Sequence, residues 1–129
     1  MPDHLQRRRA LLVAADGERR RLRVPFAGQL PGWEALEADS LERAHFSLRM
    51  EPCDVLLLDA SLYRSAGLSW LTSRQPVPVL FLADLDPTLI LDALEHGACQ
   101  WLPRELAVSH PSLLAAVLAR LAGVGAAQG

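Results

Sequence analysis

Lysine is absent from this chain: all thirteen basic side chains among its 129 residues are arginine, so no side-chain ammonium group is available to any site. Seven of them, Arg7, Arg8, Arg9, Arg19, Arg20, Arg21 and Arg23, lie before residue 24. Against fifteen acidic residues they leave a formal charge of −2, and a pI of about 6.0 gives no overall attraction for nucleic acid or anionic lipid. No nucleic-acid reading motif is present, so the arginine cluster reads as a solvated helix face. Cysteine is scarce. Cys53 and Cys99 each sit in an apolar run without zinc or redox spacing, which suits a reduced chain whose thiols act as small buried hydrophobes. No apolar run approaches the roughly 18 residues that span a bilayer, and the amino terminus lacks the apolar core of a signal peptide. A cytoplasmic location without membrane contact is the expectation. His4, His45, His96 and His110 are not grouped as ligands, and no internal repeat is visible.

What is present is a core. Half of the residues are apolar, enough for one compact domain. "ALLVA" (10 to 14) reads as a strand, and the arginine-rich segment from Glu18 as a helix that Pro25 ends or kinks, because proline removes a donor and clashes with the preceding turn. "WEALEA" (33 to 38) alternates weakly and reads as an edge strand. Asp39 or Ser40 caps the next helix, with Glu42 placed as in a capping box, and Leu41, Ala44, Phe46, Leu48 and Met50 supply its apolar face.

"DVLLLD" (54 to 59) has the continuous aliphatic run of a strand covered on both faces. "GLSWLTS" is a short helical piece with Trp70 toward the core, and "VPVLFLA" (77 to 83) is a second apolar strand with Pro78 tolerated only near its start. Asp86 and Pro87 open a helix that Gly97 closes. "CQWLP" is a short strand, and "SHPSLLAAVLARLAG" a last helix with Leu113, Leu114, Val117, Leu118 and Leu121 on one side. "VGAAQG" reads as a linker or frayed end.

Five rounds of strand and helix predict a parallel sheet with helices on both faces, because parallel strands need crossovers and these are right-handed. Ligands of such sheets sit beyond the carboxyl ends of the strands. Asp59 is placed there, at the end of the most apolar strand. Two roles stay open for it on residue grounds alone: a polar strand end that caps the following turn or pairs with Arg104, or a reaction centre.

The order of these segments resembles the receiver domain of bacterial two-component response regulators. "ALEHGACQWLPREL" is similar to that family's "ALEAGADDYLxKPF", and "ALLVAADGERRRL" to its "ILLVDDDxxxRRL". The resemblance implies a flavodoxin-like, CheY-like, doubly wound five-stranded parallel sheet in the order 2-1-3-4-5, with a receiver-like domain over residues 8–122, an amino-terminal tail over 1–7, and a tail or linker to a possible output domain over 123–129. It places the phosphoacceptor at Asp59 and the acidic pair that holds Mg²⁺ at Ala14 and Ala15, with Asp16 one step further. The switch hydroxyl falls on Ala83, the aromatic switch on Trp101, and the phosphate-binding lysine on Arg104.

These departures carry chemical weight. Phosphoryl transfer to a carboxylate depends on cations that neutralise the phosphoryl oxygens, and Mg²⁺ is held by one or two carboxylates with waters and phosphate. A methyl group ligates nothing. Arginine is a planar fork rather than a mobile point charge. The implied function is therefore a non-enzymatic receiver-type signalling domain with weakened or lost Mg²⁺-dependent phosphorylation, acting through an output partner. That partner is attached or separate, and a sensor histidine kinase belongs to the expected set. The implied contact face comprises the fourth helix, fifth strand and fifth helix (86 to 121), used for a homodimer, with Leu89, Leu94, Trp101, Leu106 and Leu118 as candidates. Two alternatives remain. One is a working phosphoacceptor in which Asp59 and Asp16 hold Mg²⁺ and Arg104 replaces the lysine. The other is a small module binding an anionic metabolite or nucleotide, against which stands a first loop, "AADGER", with one glycine and no phosphate-cradling spacing.

Overall fold

The computed structural model describes residues 7–128, and side chains through residue 123. Among these, five strands form one parallel sheet in the order β2-β1-β3-β4-β5: β1 Arg8–Val13, β2 Trp33–Ala38, β3 Val55–Asp59, β4 Val79–Ala83 and β5 Gln100–Pro103. Six helices connect and follow them: α1 Asp16–Phe26, α2 Leu41–Met50, α3 Ser65–Thr72, α4 Pro87–Glu95, α5 Arg104–Ser109 and α6 Pro111–Gln128. The strand order and the parallel pairing are those expected from the sequence.

Successive strand residues point to opposite faces, and the core divides accordingly. Ala10, Leu12, Leu57, Leu80 and Leu82 pack with Leu22 of α1, Ala107 of α5 and Leu114, Leu118 and Leu121 of α6. Leu11, Val13, Leu56, Leu58 and Phe81 pack with Leu41, Ala44 and Leu48 of α2, Leu68 and Leu71 of α3 and Ala93 of α4. Each fully buried leucine contributes roughly 1.5–3 kcal/mol. β1, β3 and β4, covered on both sides, carry no polar residue before Asp59 along their buried length, whereas the edge strand β2 tolerates Glu34 and Glu37.

Several local features differ from the sequence-based expectation. α1 starts at Asp16 and closes at Phe26, so Pro25 sits in its last turn. Ser40, not Asp39, caps α2: its hydroxyl accepts from the Arg43 amide at 3.0 Å. The third helical position is thus Arg43, no capping box forms, and Glu42 instead pairs with Arg64 at 3.0 Å. Phe46 and Met50 are 64% and 68% exposed and do not belong to the apolar face, which is made by Leu41, Ala44 and Leu48. Pro78 precedes β4, and its carbonyl accepts from the Leu56 amide. Leu113 is exposed. A separate short helix, α5, intervenes before α6, and α6 continues through 123–128. Residues 1–6 of the expected amino-terminal tail lie outside the described residues.

Gly97 adopts φ +129°, and a Cβ there would lie 2.6 Å from Thr72 Oγ1 and 2.8 Å from its Cγ2. Backbone conformation and space both require glycine, so Gly97→Ala is expected to cost about 1–3 kcal/mol in urea unfolding. Cys99 is exposed rather than buried, while Cys53 is half-buried. Burial pushes the Cys53 thiol up to about 11, leaving ~0.1% as the reactive thiolate at pH 8. Iodoacetamide followed by peptide mapping is expected to label Cys99 first, with Cys53 labelling accelerating as pH rises toward 11. Equal rates at pH 8 would contradict this environment.

Candidate functional site: a buried Asp59–Arg104 pair

The carboxyl ends of β1, β3, β4 and β5 converge on Asp59. β3 is flanked by β1 and β4, and Asp59 closes it with 0% exposure, the one charged side chain fully buried among the described residues. Isolated, such a charge costs several kcal/mol of lost hydration. Here both carboxylate oxygens have partners. Oδ1 accepts from Arg104 Nε at 2.8 Å, and Oδ2 accepts from Arg104 Nη2 at 3.1 Å. Oδ2 also accepts from the Ser61 amide at 2.8 Å, opening a 3-10 turn over Ala60–Leu62.

Arg104 starts α5 immediately after β5. To reach Asp59 it crosses the end of β4, the strand between β3 and β5, where Ala83 presents only a methyl group. Two further carboxylates face the guanidinium: Glu18 of α1 at 3.5 Å and Asp84 at 3.6 Å. The hydrogen bond to Asp59 is the largest influence holding Arg104 above its ordinary value, with burial opposing it, so the cation is permanent. Arg21 extends the network, bridging Glu18 at 3.5 Å and Glu105 at 2.6 Å. The Ala15 amide donates to Ser61 Oγ at 3.1 Å, joining the β1 end to the turn after β3.

Of the residues singled out from the sequence, Asp59 and Arg104 are brought together. Asp16 is not joined to them: its carboxylate is 76% exposed and pairs with Arg19 one turn along α1. Glu18, two positions later, turns toward the site instead. Ala83 is buried, and its carbonyl accepts from Trp101 Nε1 at 3.1 Å, which ties the half-buried indole to the end of β4. Of the interface candidates, Leu94 is exposed, Leu89, Trp101 and Leu106 are half-buried, and Leu118 is fully buried. Leu118 is therefore core and not part of a contact face. Glu18, Ser61 and Asp84 complete the site without having been recognised in the sequence; the i,i+3 spacing of Glu18 and Arg21 was the available signal.

The donor set does not suit Mg²⁺. Among the described residues, no three His, Cys, Asp or Glu side chains converge in a way that could hold a metal ion. Both Asp59 oxygens face a cation already, and Ala14 and Ala15 offer methyl groups.

The arrangement defines a class first: a doubly wound flavodoxin-like α/β domain with its polar centre at the strand ends. Its nearer likeness is to response-regulator receivers. A two-component response regulator of the LuxR family from Aurantimonas superimposes with a TM-score of 0.72 and 22% identity, covering 92% of this chain and 87% of the other. The response regulator domain of Thermotoga maritima CheB gives 0.72 and 18%, covering 92% and 98%, and a two-component response regulator from Clostridium difficile gives 0.72 and 17%, covering 89% and 95%. The chain thus has the CheY-like receiver fold. No family model matches the sequence, and a search of curated proteins finds no match.

Proposed function

We propose that this chain is a receiver-type signalling domain in which the Asp59–Arg104 pair replaces Mg²⁺-dependent phosphorylation, and that it acts through protein contacts. The observation that carries this reading is the bidentate guanidinium on a carboxylate with no exposed surface. Phosphoryl transfer to Asp59 needs an oxygen open to in-line attack and a cation set that neutralises the equatorial phosphoryl oxygens. In this site both carboxylate oxygens already accept from Arg104, and Oδ2 also from the Ser61 amide, so freeing them would expose a buried, unpaired charge.

The same pair does structural work that the receiver fold otherwise leaves to a transient modification. It links the end of β3 to the start of α5 across β4, beside the Trp101–Ala83 hydrogen bond. The domain is held in one arrangement, so its output is constitutive or governed by a partner rather than by a kinase. No helix of the described residues is long and apolar enough to cross a membrane.

Titration with millimolar Mg²⁺, followed by tryptophan fluorescence and amide shifts around Asp59, tests the reading. No saturable change is expected. Saturable binding that Asp59→Asn abolishes would contradict it and favour a working metal site.

A further inference from the structure

We propose that two copies of this chain associate through α2, their second helices pairing antiparallel about a two-fold axis at Ser47. Phe46 and Met50 are 64% and 68% exposed, a pair of large apolar side chains that water disfavours unless something covers it. Arg43, Phe46, Ser47, Met50 and Glu51 stand at i, i+3, i+4, i+7 and i+8, so they share one face that runs from the first turn of α2 to the residue after it. All five line an open groove of about 430 Å³, which reaches Glu37 of β2 and Arg19 of α1.

The order of charges along this face selects the occupant. Laid antiparallel on itself about Ser47, the stripe meets opposite signs: Arg43 of each copy falls opposite Glu51 of the other, and Phe46 of each falls beside Met50 of the other. A two-fold interface requires a patch complementary to itself, and complementary charges set partner and register. Both charges are available. Arg43 stands 3.7 Å from Asp39 and Glu51 3.7 Å from Arg9, beyond hydrogen-bond reach, and their side chains are 77% and 55% exposed. Ser47, short and on the axis, lets the two helices approach. A polyanion would be repelled by Glu51 at one end of the stripe, and a polycation by Arg43 at the other. α4 lacks this property: it carries Asp92 and Glu95 but no base from Pro87 to Glu95, so a two-fold axis there sets acid against acid. The inference goes beyond the proposed function and holds whether or not Asp59 accepts phosphate.

The test is sedimentation equilibrium of the whole chain from about 1 µM to about 1 mM. A monomer–dimer equilibrium with Kd on the order of 100 µM is expected, because one helix pair buries less than the roughly 1,200 Å² of a standard stable interface. Arg43→Glu and Glu51→Arg each set two like-charge pairs across the axis, and each alone is expected to raise Kd at least about tenfold. Mixed in equal amounts, the two variants are expected to form a heterodimer, because every pair across the axis is then opposite in sign. That recovery, with circular dichroism, separates lost association from lost folding. Phe46→Asn is expected to abolish the dimer. A chain that stays monomeric throughout, a dimer indifferent to these substitutions, or a mixture no more associated than its components would overturn the proposal. So would a dimer that Leu91→Asn/Leu94→Asn on α4 dissociates instead. None of these outcomes alters the Mg²⁺ titration, so the two readings fail separately.

Discussion

Arg104→Ala is expected to destabilise the domain by about 3 kcal/mol, because breaking a buried pair leaves its partner's charge uncompensated. Asp59 has no exposed surface, and after the substitution its one remaining donor among those described is the Ser61 amide. The guanidinium side chain is 18% exposed, so water can partly replace it and the loss sits at the low end for such pairs. Thermal unfolding should fall by roughly 10 °C for a domain of this size. The double variant Asp59→Leu/Arg104→Met should recover most of the loss, because well-packed apolar replacements of a buried ion pair are often neutral or stabilising. Urea unfolding of Asp59→Leu, Arg104→Met and the double variant closes the cycle. A single Arg104→Ala loss no larger than that of an exposed ion pair, about 0.5 kcal/mol, would show that the pair is not the centre of this site.

The second large effect is a gain. If the missing ligands and the guanidinium are what prevent metal binding, then Ala14→Asp/Ala15→Asp/Arg104→Lys should acquire saturable millimolar or tighter Mg²⁺ binding. The substitution supplies two carboxylates beside Asp59 and exchanges a fixed fork for a mobile point charge. Ala14 has no exposed surface, so the variant is expected to fold less stably without metal and to gain stability when Mg²⁺ is added, as any ligand selective for the folded state requires. Melting curves with and without Mg²⁺ read this directly. A folded variant that remains indifferent to Mg²⁺ would move the cause elsewhere, to Ala83 or to the Glu18 side of the site.

Much of the sheet was legible because its signal is simple. β3 and β4 are unbroken aliphatic runs, and their parallel pairing follows from the helical segments between them. The weak alternation of β2 was also readable, since an edge strand is less covered and tolerates partly exposed glutamates on both faces. Helical phase was less legible. In α2, Phe46 and Met50 look continuous with the apolar residues in linear order. Around the helix they fall opposite Leu41, Ala44 and Leu48, where solvent lies. α5 has six residues, too few to show a period.

The site followed the same division. Asp59 was visible at a strand end and Arg104 as its possible partner, because both ends are fixed by the sheet. Asp16 seemed the natural acidic neighbour by linear proximity to the first strand, yet the turn of α1 aims it at Arg19 and brings Glu18 toward Arg104. Leu118 and Leu94 were indistinguishable as leucines in helices; their burial depends on which side of each helix meets the sheet. Tyr63, which no motif marks, donates to Asp92 at 2.5 Å and lies edge-on to Phe81, joining the segment before α3 to α4 through contacts that linear spacing does not reveal.

The central claim is that Asp59 is committed to Arg104 and does not accept phosphate. Intact mass after incubation with acetyl phosphate or a phosphoramidate, with and without Mg²⁺ and beside an Asp59→Asn control, tests it most directly. Unmodified protein under conditions that label an ordinary receiver is the predicted result. A single phosphoryl adduct that requires Mg²⁺ and disappears in Asp59→Asn would contradict the account, because the pair would then have to open and the domain would be a working phosphoacceptor.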